Sequence, residues 1–497
     1  MKLLKKMAAR AVLLWPLACG APASGGGAAV EPIADAAVDG VLDVAATDQP
    51  DTGVQIDVVV GDAAADATKP SGTRPNFVIF VGEAIGWTGT SVQLDPNVPS
   101  INNTEFQTPN LDEMAQNGAR FSHFYAASPR CMPTRAALFS GQSPARLHMT
   151  FIPADASGAA GNGTVTPPTT VTDLPSTTPT IASYLKGGGY ATAHYGKWHA
   201  GNTAPEKYGY DVSDGPTSNT GPGKVKTPNP VEVYGMTDRA LAFIEQAVKD
   251  GKPFYVHISN YNARDTTEVT ADSLAKVQAL NPGITDPKQI GLIAGGLDFD
   301  INIGRIRAKL KELGVADNTY TLYTSDHGGQ DNWSNAPLAE NKGTVWEGGI
   351  RVPLVWSGPS IPAGMETAKR ATTVDIFRTI ATLAGLNVPL PDALEGGDLT
   401  QLLQGDGNAL IQRPYEPLVI HFPHYDHDPL GPASAILLGD FKFVRFYQGN
   451  LLKLFDLSKD LSEKNDLSTQ MPDKVAALDA AMQAYLQAVG AQMPVVK

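Results

Sequence analysis

Cys131 opens the pentapeptide Cys-Met-Pro-Thr-Arg, one of only two places in 497 residues where a cysteine occurs. The run around it, SPRCMPTRAALFSGQSPARLHMT, begins with turn residues and continues apolar and periodic, which predicts a helix with the thiol in its first turn. A helix N-terminus favours negative charge, and Arg135, one turn on, can reach the same anion. That position suits a nucleophile. A lone cysteine is also a common buried structural thiol, and the residue types alone leave both readings open.

Four other places could carry chemistry. Asp326-His327 ends the apolar run TYTLYTS, where the pair could ligate a metal or cap a turn. Lys197 and Lys342 could be solvated surface lysines, although each has a neighbouring glycine and a tryptophan close by, Trp198 and Trp346, which suits a buried turn. The loop HFPHYDH holds His421, His424 and His427, a spacing open to a transition metal or to substrate contact. His257, inside an apolar strand, reads as a satisfied core residue.

Elements of an α/β protein must position these residues. RPNFVIFVGEAIGW begins with a nearly continuous apolar run, as in a central parallel strand whose carboxyl end carries the polar Glu83. Apolar strands then alternate with helical patterns up to VDIFRTIATLAGL, which implies a largely parallel sheet between helices with chemistry at the strand ends. From residue 405 the pattern changes to short strands, LVIHF, AILLGDFKFVRFY and LLKLFDL, and a closing helix near AALDAAMQAYLQAV, a small antiparallel subdomain spanning 405–497 after a main domain at 74–404.

Residues 1–19 join Lys2, Lys5, Lys6 and Arg10 to the short apolar run AVLLWPLA, a secretory leader too short to span a bilayer. Leu17-Ala18-Cys19-Gly20 approximates a lipoprotein site, so a lipid anchor at Cys19 competes with ordinary cleavage after Ala23. Either route places the chain outside the cytoplasm, secreted, periplasmic or on an outer surface. Residues 20–73, rich in Ala, Gly, Asp and Val without an aromatic, cannot bury enough apolar surface to order themselves and read as an acidic tether. With a formal charge of −13 and no basic patch, nucleic acid is an unsuitable partner, and an anionic substrate needs locally placed cations.

The strings RPNFVIFV, TPNLDEMAQNGARF, SPARLHMT, GKWH, YGYDVSDG, TSDHGG, NKGTVWEGGIRVP, HFPHY and FDLSKDLSEKNDLS, in this order and with Cys131-x-Pro133-Thr134-Arg135, resemble sulfatases of the arylsulfatase A-like type in the alkaline phosphatase superfamily. The resemblance implies that a formylglycine-generating enzyme oxidises Cys131 to formylglycine, whose hydrated aldehyde is the nucleophile. It implies that Arg135 and Lys197 steady that group, that His199 takes a proton from its second hydroxyl, and that Lys342 binds sulfate and assists the leaving group. Asp326 and His327 match the family's calcium-binding pair, with residue 131 and Glu83 completing the Ca2+ site. His421 and His424 match segments near the cleft mouth and are expected to touch substrate.

Two departures stand out. An ungapped match puts Glu83 and Ala84 where the family has two successive aspartates, and alanine cannot bind a cation, which should weaken calcium binding. Arg264 falls where the family has a substrate-contacting histidine; it keeps the anion-binding charge but is a poor proton donor. The resulting expectation is a sulfuric ester hydrolase acting on an aryl or carbohydrate sulfate. A phosphoester or phosphonate-ester hydrolase on the same scaffold, and a catalytically weakened protein that binds sulfated glycans, are the alternatives.

Overall fold

The computed structural model describes residues 74–98, 105–152, 163–219, 232–331 and 334–497; the leader, Cys19 and the tether lie outside them. All described residues belong to one compact unit.

The main sheet has eight strands: β1 (Asn76–Gly82), β2 (Ala119–Phe121), β3 (Ala191–Gly196), β4 (Val212–Ser213), β5 (Phe254–Ser259), β6 (Thr319–Ser325), β7 (Leu354–Ser357) and β8 (Met365–Thr367). Their order is β8-β2-β7-β6-β1-β5-β3-β4. Every neighbouring pair is parallel except the two made by β7. β1 is buried along its whole length, because both its faces are covered. Phe77, Ile79 and Val81 face one apolar cluster, shared with helices α2 (Cys131–Ser140) and α5 (Asp375–Ala384). Val78 and Phe80 face another, built with α1 (Pro109–Gln116), α3 (Val233–Lys249) and α4 (Pro287–Glu312). Each such side chain contributes about 1.5–3 kcal/mol by burial, which anchors the strand that carries Glu83 at its end.

The second sheet is antiparallel, with β9 (Leu418–Phe422), β10 (Ala433–Leu438), β11 (Phe441–Phe446) and β12 (Leu451–Asp456) in sequential order. One face packs Ile436, Phe443 and Leu454 on helix α6 (Pro472–Ala488). Its other face packs Phe422, Val444 and Phe455 against Tyr125, Phe151, Val345 and Ile350 of the main body. Lys442, fully buried in β11, strengthens that junction, with Nζ 3.1 Å from Glu347 Oε1 and 2.8 Å from Glu463 Oε1. The small sheet therefore rests on the loop that carries Lys342.

Candidate active site

The site lies where four adjacent parallel strands end. Backbone bonds lace the ends together: Asp326 N–H donates to Gly82 O (3.2 Å), Asn260 N–H to Val81 O (2.8 Å) and Lys197 N–H to Ser259 O (3.0 Å). Glu83, Asp326, His327, Lys197 and His199 thus leave the sheet side by side after β1, β6 and β3. The turn after β3 requires glycine at 196, where φ is +86° and a Cβ would lie 1.9 Å from Ser259 O. It is stapled by Thr217, whose Oγ1 donates to Gly196 O (2.5 Å) and accepts from Trp198 N–H (3.0 Å), and whose carbonyl accepts from His199 N–H (2.9 Å). His199 is held at φ +47°, an uncommon conformation for a non-glycine residue that the surrounding bonds over-determine. Thr217 had no sequence signal, because its contribution is a backbone carbonyl and a hydroxyl brought in by folding.

Cys131 is the first residue of α2 and fully buried, as are all ten residues of that helix. Burial alone would raise its thiol pKa, but Lys197 and His199 beside it, with His327 close by, bring it well below the usual thiol range. Arg135, one turn on, spans the floor: Nε lies 3.0 Å and Nη2 2.9 Å from Asp326 Oδ2, and Nη1 donates to Lys197 O (2.7 Å). The other Asp326 oxygen, Oδ1, accepts from Ala84 N–H at 3.0 Å. Burial would push Asp326 up, yet His327, Arg135 and Lys197 hold it below the ordinary carboxylate range.

A Cys131, Asp326 and His327 donor atom lie within 4.8 Å of one another, all buried. His327 Nδ1 lies 2.9 Å from Gly328 O and must donate to that carbonyl. Its Nε2, 3.4 Å from Asp326 Oδ1, has no hydrogen-bond partner. A ring nitrogen facing a carboxylate so closely needs positive charge there, a proton or a metal ion, and the trio therefore fits a cation. Glu83 is not part of the trio. Its Oε1 is 2.6 Å from Lys197 Nζ and its Oε2 accepts from Asn262 N–H (3.2 Å). Burial raises its pKa, but Lys197, and Lys342 more weakly, more than offset that, and the carboxyl stays below its ordinary range. Ala84 is fully buried at φ +54° and offers the site a backbone N–H in place of a carboxylate.

Lys342 is buried and presented by a loop that the second subdomain grips. His427 Nδ1 donates to Lys342 O (2.8 Å), Trp346 Nε1 donates to Asp428 Oδ2 (2.7 Å), and Asp426 forms an ion pair with Arg130, the residue before Cys131. It is thus Asp426 and His427 of HFPHYDH, with Asp428 just after it, that reach toward the residue before the nucleophile and the Lys342 loop. His421 and His424 lie elsewhere. Both ring nitrogens of His421 are used within the protein, by Ser434 Oγ (2.7 Å) and Gln492 O (2.9 Å), and His424 is buried against Phe151 with Nε2 2.7 Å from Thr150 Oγ1. Strand alternation turns His421 into the small sheet's interior, which spends it on packing. Arg264 is exposed, and its Nη2 donates to Asn219 O (2.7 Å), so its charge is directed to the segment behind Thr217. His257 is buried but only half satisfied, with Nδ1 3.2 Å from Tyr255 OH and Nε2 without a partner.

A buried residue at a helix N-terminus, ringed by Arg135, Lys197, His199 and a cation-ready pair at the carboxyl ends of a doubly covered sheet, defines a hydrolase of tetrahedral-anion esters on an alkaline phosphatase-like scaffold. The Sulfatase family profile matches residues 75–386, and the profile N-sulphoglucosamine sulphohydrolase, C-terminal, matches residues 340–492. N-acetylgalactosamine-6-sulfatase of Sus scrofa is 32% identical over 379 residues, covering 68% of this chain and 67% of that protein. A sulfatase of Formosa agariphila is 26% identical over 501 residues, covering 84% and 89%. Among solved structures, Ps i-CgsB in complex with k-i-k-neocarrahexaose shares the fold with a TM-score of 0.68 and 22% identity, over 83% of this chain and 93% of that one. BT4656 in complex with its substrate D-glucosamine-2-N,6-O-disulfate does so with 0.61 and 19%, over 84% and 98%. The chain belongs to the sulfatase family and is a sulfuric ester hydrolase.

Proposed function

We propose that the protein hydrolyses a carbohydrate sulfate ester, using formylglycine derived from Cys131 as nucleophile and a divalent cation, calcium in the converted enzyme. The observation that carries the reading is the ring of Arg135, Lys197 and His199 around a buried residue 131, together with relatives and fold neighbours named for sulfated sugars. Formylglycine at residue 131 would supply, as its hydrate, one hydroxyl for attack on sulfur and a second whose loss of a proton would expel sulfate. Lys197, tied to Glu83, and Arg135, tied to Asp326, hold residue 131 and neutralise charge near it. His199, fixed by Thr217, takes the proton from the second hydroxyl. Lys342 binds the sulfate oxygens and assists the leaving oxygen, a task that Arg264 does not share. A cation held by Asp326, His327 and residue 131 would polarise the ester when bound; with Glu83 engaged by Lys197, water must supply the remaining hard ligands.

Steady-state rates on a panel of sulfated mono- and disaccharides, with nitrophenyl sulfate and nitrophenyl phosphate beside them, test the assignment. Release of sulfate from at least one saccharide, with kcat/KM above that for the aryl phosphate, is expected. Phosphate release dominating would favour the phosphoester reading, and saccharide binding without turnover would favour a glycan-binding protein. The leader residues support a site of action outside the cytoplasm. Retention in the membrane fraction that is lost on Cys19→Ala would support the lipid anchor, and retention unaffected by that change would refute it.

A further inference from the structure

We propose that, while residue 131 is still a cysteine, Cys131, His327 and Asp326 form a binding site for a zinc-like divalent ion, and that this site belongs to the thiol form of the chain alone. It does not depend on the hydrolytic reading, because it concerns the protein before that activity exists. The three donor atoms lie within 4.8 Å of one another and all three residues are buried. Thiolate sulfur, imidazole nitrogen and one carboxylate oxygen make a borderline-soft set of the kind that holds tetrahedral zinc through three protein ligands and a water. Calcium would instead need six to eight oxygens. Among these residues only Asp326 supplies oxygen from a side chain, because Glu83 is engaged by Lys197 and Ala84 has no ligand atom.

An independent observation points to a ligand. His327 Nε2 is fully buried, lacks a hydrogen-bond partner and faces Asp326 Oδ1 at 3.4 Å. The Gly328 carbonyl, 2.9 Å from Nδ1, fixes the ring so that this nitrogen points into the gap, as an outer-shell acceptor does at metal-bound histidines. Asp326 is oriented the same way, by Arg135 on Oδ2 and Ala84 N–H on Oδ1. Binding would form S–metal and N–metal bonds and release to solvent the proton that the Cys131–His327 pair holds, so a 2+ ion meets two negative ligands and the neutral imidazole. An oxygen in place of Sγ removes the soft donor and with it the preference for zinc.

Cobalt(II) titration of the full-length protein, made without a maturation enzyme and stripped with chelator, tests this. A thiolate-to-cobalt charge-transfer absorption should appear at one equivalent, be displaced by zinc and persist in a large excess of calcium. Cys131→Ser and His327→Ala should each abolish the band and weaken zinc by more than the about 10- to 100-fold that outer-shell changes cost. Glu83→Gln should keep the band. Protein converted at residue 131 should lack it. Absence of the band in the thiol form overturns the proposal, and so does a band that survives Cys131→Ser, which would assign it to Cys19. Loss of the band on Glu83→Gln while Cys131→Ser keeps zinc affinity would make the site an all-oxygen one and also overturn it.

Discussion

Glu83→Gln is the substitution on which two roles for this residue part company. Lys197 is fully buried and Glu83 Oε1 lies 2.6 Å from its Nζ, so the amide would leave a buried ammonium without its nearest counter-charge. Breaking a buried pair from one side costs about 3–5 kcal/mol. Asp326 and Cys131 share the same electrostatic environment, so the lower end, about 3 kcal/mol, is expected here. Lys197→Met strands Glu83 in the same way, with the Asn262 N–H and the weaker influence of Lys342 left to it. The double variant strands neither, and the cycle should show a coupling of about 2 kcal/mol or more. Urea unfolding in chelator at pH 7.5, with unchanged m-values, measures this without metal. Because the folded state lowers the Glu83 pKa below its ordinary value of 4.5, its contribution is fully present above that value and is lost as pH falls through the folded one. The difference between wild type and Glu83→Gln should therefore vanish in acid. Additive single effects, or a cost that appears only when calcium is added, would refute the ion-pair role and return Glu83 to the metal.

Three further outcomes follow from the same geometry. His194, His257, His421 and His424 are buried, and burial lowers each pKa, to about 3 for His194 and His424 and about 4 for His421. An unfolded chain protonates these rings below about pH 6.5, so their share of stability is intact above that pH and falls by about 5 kcal/mol per unit below it; urea midpoints between pH 6.5 and 5 that imply uptake of less than one proton would contradict this. Asp426→Ala removes an ion-pair partner of Arg130 beside Cys131 and should cost about 3 kcal/mol in unfolding and lower kcat/KM on a sulfated saccharide, with unchanged values on both measures counting against the grip of the second subdomain. Ala84→Asp adds a carboxylate at a position where aspartate tolerates the positive φ, and calorimetry on the converted enzyme should find tighter calcium; equal affinity would show that residue 84 does not face the ion.

Much of the fold was legible because apolar strands and helical periods alternate in plain view, and both the doubly covered sheet and the small antiparallel sheet follow from them. Helix α4 was only half visible. INIGRIRAKL shows the helical period, whereas the preceding GLIAGGLDF is rich in glycine, a poor helix former. Tertiary packing overrides that propensity: a Cβ at Gly291 would meet the Asp265 backbone at 2.4 Å, and one at Gly295 the Ala263 Cβ at 2.7 Å. At the site, Cys131, Arg135, Lys197, His199, Asp326 and His327 could be gathered from sequence because the strings that hold them resemble the family's, and they lie just after strands or in the first turns of a helix. Glu83's partner could not, since an ion pair across the ends of β1 and β3 has no local pattern. The same limit hid Asp426 and the use made of His427, which matter through contacts with Arg130 and a main-chain carbonyl, while His421 and His424 are packed inside.

The most direct test of hydrolysis through a converted Cys131 is to prepare samples with graded amounts of maturation enzyme and measure, in each, both the peptide mass at residue 131 and sulfate release from a sulfated saccharide. Conversion lowers that mass by about 18 Da, the difference between a thiol and an aldehyde. The rate should rise in proportion to the converted fraction and extrapolate to zero for the pure thiol and for Cys131→Ala. Sulfate release that is independent of the converted fraction, or that persists in Cys131→Ala, would contradict the account.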